Sequence, residues 1–505
     1  MENSPFLKIM IKFLRKYYLS LIFILFVIMP AAYMRLYRIS EYLTFLGDEG
    51  RDVLVVKRML IDGKFTLLGP ITSVGSIYMG PVYYYLMAPF LYLWNFDPTG
   101  PAVLVALLSL ATVFFIYRIG REFFSPLTGL AASFLYAISP LTVIYGRSSW
   151  NPNIVPFFAT LYMYCLMKAV LNKEYRWLTG SGLALGILIQ LHYVAFMFFI
   201  ITPFVFLVFK RLPPWRYLIY FIISFFIAWS PFILFELRHS FINTQGAWRF
   251  FWQQSKEAKP GGIVRIYATI NDVTVRLFWR LVIIRSAELT KIFLVILTVV
   301  AAYTFKSKSV KYRAALKFLL IWLLTGIFSF GLYRGVIYDY YLGSLFALPF
   351  LFSGFLISSF FRSGITGRLS ALSLLAILSY FNIMGTPLRL EPNNMLKNTR
   401  EISAFVFEKT AGKPYNFALI AGRNSDHAYR YFLELWGSPP NIIENPQVDP
   451  KRNTVTQQLL IVCEEKICQP LGHPLWEIAG FGQAEITGEW QVSTAKVFRL
   501  IHYDG

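Results

Sequence analysis

The sequence predicts a polytopic α-helical membrane protein that ends in a small extracytoplasmic α/β domain. Three observations predict it. The 505-residue chain is 56% hydrophobic and only 15% charged, with a mean hydropathy of +0.53, more apolar surface than a soluble chain of this length can bury. Apolar runs of membrane-spanning length recur as far as residue 384. After residue 385 hydrophobicity falls, and helix-like and strand-like segments take over, dividing the chain into 1–385 and 386–505.

The first run, 19–36, follows Lys8, Lys12, Arg15 and Lys16 and has no small-residue cleavage site behind it, so it reads as an anchor. Further runs cover 78–94, 101–117, 126–145, 153–171, 177–191, 193–209, 215–236, 289–305, 314–333, 341–361 and 367–384. Basic segments such as RIGREFF (118–124), NKEYR (172–176), KRLPPWR (210–216), KSKSVKYR (306–313) and FRSGITGR (361–368) separate several of them. With these and the N-terminus in the cytoplasm, every run alternates except 78–94, which begins and ends outside. Its MGPVYYYLMAPFLYLW (79–94), with four Tyr, one Trp and two Pro, suits a helix at the headgroup level; a true span with one misassigned loop is the alternative. About eleven spans remain, with the N-terminus cytoplasmic and the C-terminus outside. The formal charge of +21 then reports topology and calls for no nucleic-acid partner.

This layout gathers residues 37–100, GRSSWNPN (146–153), LHY (191–193) and the loop 236–288 on the outer face. In the C-terminal domain, 395–411 and SDHAYRYFLELWG (425–437) read as helices. NFALIAG (416–422), QLLIVCE (458–464) and VFRLIHY (497–503) read as strands. Cys165, Cys463 and Cys468 lack metal-ligand spacing; CEEKIC (463–468) closes a small disulfide if outside the cytoplasm, or holds two idle thiols.

The charged stretch LGDEGRD (46–52) stands ten residues beyond the first run. Asp48 and Glu49 open an amphipathic helix (48–63) whose apolar face carries Val53, Val56, Met59 and Leu60. On the bland reading they favour the helix dipole, and Asp52 pairs with Lys57 or Arg51. On the sharper one they lie at the depth of lipid phosphates. There Arg51, three residues after Asp48, can bind a phosphate bidentately beside a carboxylate base.

GDEGRD, MGPVYYYL, RIGREFFSPLTGLAASFLYAISP and YGRSSWNPN together resemble the GT-C type glycosyltransferases, most closely the protein O-mannosyltransferase and aminoarabinose-transferase branch, over residues 10–240. The resemblance implies a polyprenyl-phosphate sugar as donor, catalysis at the outer face and two interfacial helices in the first loop. It implies Asp48 as catalytic base, Glu49 as its partner, Arg51 as phosphate ligand, and an approach of GPVYYYL to the lipid phosphate. The chain departs from the branch in two places. It has Met79 and Gly80 where a basic residue is usual, which leaves Arg147 and Lys57 as candidates to share the phosphate. It reads WNPN (150–153) where many relatives carry an acid; Asn151 and Asn153 orient hydroxyls but are weak ligands for a divalent ion, so no metal or other cofactor is expected.

Other residues carry two readings each. Arg147 snorkels to headgroups or grips a phosphate. His192 is a hydrogen-bonded structural residue or part of the site. Tyr78, Tyr83 and Tyr84 stack on a sugar or lie among headgroups. In 236–288, aromatics mixed with cations read as an anchoring helix or an acceptor-binding loop, and Arg334 and Asp339 of YRGVIYDYY (333–341) can pair.

Two function classes follow. One is an inverting glycosyltransferase acting on a protein, lipid or glycan hydroxyl at the extracytoplasmic face. The other is a flippase or transporter of a lipid-linked saccharide; transporters place ionisable groups at mid-bilayer, where these runs have almost none. A relative that only binds the saccharide is a third possibility.

Overall fold

The computed structural model describes residues 18–72, 77–256, 262–306, 309–422 and 424–503. Lys8, Lys12, Arg15 and Lys16 lie outside them. Among the described residues seven helices are long and apolar enough to cross a membrane: Tyr18–Leu36, Thr99–Phe124, Asn151–Leu171, Trp215–Arg238, Ala287–Lys306, Val310–Leu332 and Gly364–Met384. The bent pair Asp339–Leu345 and Ala347–Phe361 makes an eighth if counted as one. The other expected spans are shorter. Pro140 breaks 126–145 into Pro126–Ile138 and Pro140–Tyr145, since it cannot donate the helical hydrogen bond. Trp177–Leu191 and Tyr193–Phe209 are also below full spanning length. The chain is thus an integral membrane protein whose helices are less uniform than the apolar runs imply.

Between the first two long helices lie α1 (Gly47–Ile61) and α2 (Val82–Leu93). Acids in the first turn of α1 and Arg58 in its last suit the macrodipole, and Gly63, at φ +66°, takes the left-handed conformation that ends a helix. Val53, Leu54, Val56 and Met59 are buried. The 12 residues of α2 rise only ~18 Å, short of the ~30 Å hydrocarbon core, in keeping with a helix that does not cross. The loop 236–288 is mostly helical, as α3 (Ile242–Lys256) and α4 (Gly262–Phe278). On α3 Trp248 and Trp252 are exposed with their rings stacked.

The C-terminal unit contains α5 (Met395–Lys409), β1 (Asn416–Ile420), α6 (His427–Leu435), β2 (Gln458–Cys463), β3 (Ala484–Val492) and β4 (Ala495–His502). The sheet order is β1-β2-β4-β3, with β1 and β2 parallel and the other pairs antiparallel. A parallel pair needs a crossover, which contains α6. Phe417, Leu419, Leu460 and Val462 face α5 and α6, while Ala418, Ile420, Leu459 and Ile461 line the other face. Burial on both faces explains why β1 and β2 read as continuous apolar runs. Sequence reading missed β3, an edge strand with an exposed, polar face. Leu396, Ala428, Tyr431 and Phe432 join the main core with Phe45 and Leu54, so the unit is seated on the first loop.

Candidate active site at the first loop

The first turn of α1 carries the charged cluster. Asp48 and Arg51, three residues apart, share one helix face, and Arg51 Nη1 donates to Asp48 Oδ1 at 2.8 Å. Arg51 also donates Nε at 3.0 Å and Nη2 at 2.8 Å to Asp52 Oδ1. The Asp48 side chain is 54% exposed, that of Arg51 20% and that of Asp52 0%. The cluster therefore offers one accessible carboxylate, one guanidinium that is mostly covered and a buried acid that fixes it.

Asp52 also accepts from Tyr84 Oη of α2 at 3.1 Å. Burial pushes the Asp52 carboxyl up to about 6, with Arg51 acting in the opposite direction. For Arg51 burial opposes the charge, but Asp52, Tyr84 and Asp48 outweigh it and raise the guanidinium further. Glu49 points inward. Its Oε2 accepts the Leu46 N–H at 3.1 Å, and burial pushes it up to about 8.

Other groups surround the turn. Tyr83 Oη is 2.8 Å from Ser149 Oγ. Tyr340 packs on Trp150, with ring centroids 4.6 Å apart, and its phenol lies within electrostatic reach of Asp48. From the C-terminal unit, Asn424 Oδ1 accepts the Gly47 N–H at 2.9 Å. His427 comes within electrostatic reach of Asp48 and Arg51, and burial lowers its pKa. Sequence reading gave no role to Tyr340, Asn424 or His427; only their outer-face placement hinted at one.

Several candidate residues sit elsewhere. Arg147 is buried, and its Nη1 and Nη2 donate to the carbonyls of Met34 and Tyr37, both at 2.6 Å. Lys57, nine residues or ~14 Å along α1 from Asp48, pairs with Asp62 at 3.4 Å and Glu434 at 3.7 Å. Asn151 and Asn153 direct their amides to the carbonyls of Leu191 at 2.9 Å and Ser148 at 2.8 Å. His192 lies against the Tyr341 ring at 4.7 Å, and its Nδ1 accepts the Val194 N–H. Tyr78 is held by its backbone, which pairs with the Asn243 amide at 2.7 and 2.9 Å, and its ring is partly exposed. Asp339 pairs with Arg280 at 3.0 Å. Among the described residues no three His, Cys, Asp or Glu side chains gather as metal ligands.

Two helices of the first loop thus bear an acid–arginine pair beneath a small sheet domain. The family model for dolichyl-phosphate-mannose-protein mannosyltransferase matches residues 79–235. Among solved structures the fold is similar to that of ArnT from Cupriavidus metallidurans bound to undecaprenyl phosphate, with TM-score 0.60, 13% identity, and coverage of 91% of this chain and 94% of that one. It is also similar to the oligosaccharyltransferase AglB from Archaeoglobus fulgidus in complex with an inhibitory peptide and a dolichol-phosphate, with TM-score 0.53, 11% identity, and coverage of 89% and 70%. No curated protein sequence matches the chain. The resemblance to GT-C type glycosyltransferases read from the sequence is matched by the fold of these structures and, over residues 79–235, by the family model.

Proposed function

We propose that the chain is an inverting glycosyltransferase that moves a sugar from a polyprenyl-phosphate donor to a hydroxyl acceptor at the extracytoplasmic face. The observation that carries this is the Asp48–Arg51 pair, an exposed carboxylate 2.8 Å from a guanidinium that Asp52 holds from behind. Asp48 takes the acceptor's proton, and the acceptor oxygen attacks the anomeric carbon. The bond from that carbon to the phosphate oxygen breaks, and its electron pair stays on the departing polyprenyl phosphate. Arg51 stabilises that charge through fixed donors. Undecaprenyl phosphate and dolichol-phosphate, bound by the two structural relatives, support the lipid class of donor. Glu49, turned inward, supports the catalytic turn.

The test is Asp48→Asn in cells lacking the native protein, with mass spectrometry of glycans and glycolipids, which also names sugar and acceptor. The product is expected to vanish while expression and undecaprenyl-phosphate binding persist. Full product from the variant would refute the assignment.

A further inference from the structure

The catalytic turn of α1 is capped by the far end of the chain. A helix leaves its first N–H groups without internal partners, and the residue before α1 usually supplies a side-chain oxygen. Here that residue is Leu46, which has none. An acceptor for one of these N–H groups comes instead from Asn424, 377 positions away, whose Oδ1 accepts the Gly47 N–H at 2.9 Å. The fit is tight, since a Cβ on Gly47 would overlap the Ser425 side chain.

Asn424 is itself held. The same Oδ1 accepts the Ser425 N–H at 2.9 Å, and Nδ2 donates to both oxygens of Glu464, at 2.9 and 3.1 Å. Glu464 accepts from Tyr429 Oη at 2.6 Å. It adjoins Cys463, which is disulfide-bonded to Cys468. A continuous chain of bonds therefore runs from the stapled turn after β2, through Glu464 and Asn424, to the amide one residue before Asp48.

We propose that Asn424 is a positioning residue for transfer: by capping α1 in trans it fixes Asp48 and Arg51 in their working geometry. The C-terminal unit thereby completes the active site. This inference rests on the assignment of Asp48 and Arg51 made above.

Three variants of the full chain test it: Asn424→Ala, Asn424→Asp and the double variant Asn424→Asp/Glu464→Gln. Asn424→Ala removes the acceptor. Asn424→Asp keeps it but sets two carboxylates together. The double variant rebuilds the bond with its donor reversed, and the amide oxygen that Glu464→Gln introduces still accepts from Tyr429. Two readouts are taken: amide hydrogen exchange over residues 46–51 in detergent, and product in cells resupplied with each variant, measured by mass spectrometry. Both single variants are expected to exchange faster and to lower product roughly tenfold to a hundredfold, the scale of a small misplacement of reacting groups. The double variant is expected to restore both readouts. Native exchange or native product in Asn424→Ala would overturn the proposal, as would a loss that the double variant fails to recover. Asp48→Asn is run alongside. If it makes native product, the base assignment fails, whereas the exchange data still judge the cap.

Discussion

Arg51 gives two of its donors to a single oxygen of Asp52, while the second oxygen, Oδ2, is buried without a hydrogen-bond partner among the described residues. A carboxylate is thus kept at 0% exposure with half its acceptor capacity idle, an arrangement whose gain is the orientation of the guanidinium. Asp52→Asn retains an acceptor for Arg51 and Tyr84 but removes the charge, so transfer should fall about tenfold with expression near native. Asp52→Ala leaves both donors unmet, at ~1–3 kcal/mol for each buried group, and should lose both transfer and thermal stability. Native transfer by Asp52→Ala would show that Arg51 needs no anchor.

The buried acids also fix the sign of a pH effect. Glu49 is shifted from 4.5 to about 8 and Asp52 from 3.8 to about 6, both chiefly by burial. Between the ordinary and shifted values the folded chain holds a proton that the unfolded chain has released, so stability falls as pH rises through that window. For Glu49 the extra stability is fully present below 4.5 and gone above about 8. Glu49→Gln keeps an acceptor for the Leu46 N–H without a titrating group. Its stability should match the native one below pH 4.5 and exceed it above pH 8, by an amount on the order of 5 kcal/mol at ~1.4 kcal/mol per unit, read as a higher melting temperature. Melting curves that stay parallel from acid to alkali would contradict this.

Asp48 and Arg51 were legible in the sequence because charge beside an apolar run stands out, and a spacing of three fixes a common helix face. The fold class was legible for the same reason, since run length and hydropathy are one-dimensional properties. Arg147, Asn151 and Asn153 looked like site residues because a polar group at a helix end reads alike whether it meets a ligand or a carbonyl. In the fold all three turn to backbone oxygens. Asn424 carries no local signal, because its partner Gly47 is 377 residues away. The strand Ala484–Val492 escaped because its exposed edge lacks an apolar alternation.

Contact between α1 and α6 yields a prediction whose sign is diagnostic. A Cβ on Gly50 would overlap the backbone of Ala428, while Arg58 and Glu434 clasp the same helices at 2.8 and 3.0 Å. In an isolated helix Gly→Ala gains about 1 kcal/mol. Here Gly50→Ala should instead loosen the docking by ~1–3 kcal/mol, the usual scale of overpacking, and reduce transfer with it. Limited proteolysis of the C-terminal unit in the full chain reads the first effect and product analysis the second. A stabilised, fully active Gly50→Ala protein would mean that the two helices are not in working contact.

Arg147 separates a structural clamp from a phosphate ligand. Its guanidinium bridges the carbonyls of Met34 and Tyr37 at 2.6 Å each and lies 5.1 Å from the Tyr42 ring centre, tying the end of the first span to the loop that leads into α1. Arg147→Lys preserves the charge but not the planar fork that reaches both oxygens. If Arg147 is a clamp, Lys and Ala should both lower thermal stability, Ala by ~2–4 kcal/mol from the carbonyls left unmet. The folded protein should then bind undecaprenyl phosphate with native affinity, and Arg51→Ala should weaken that binding. An Arg147→Lys protein of native stability and reduced lipid affinity would return this arginine to the phosphate site.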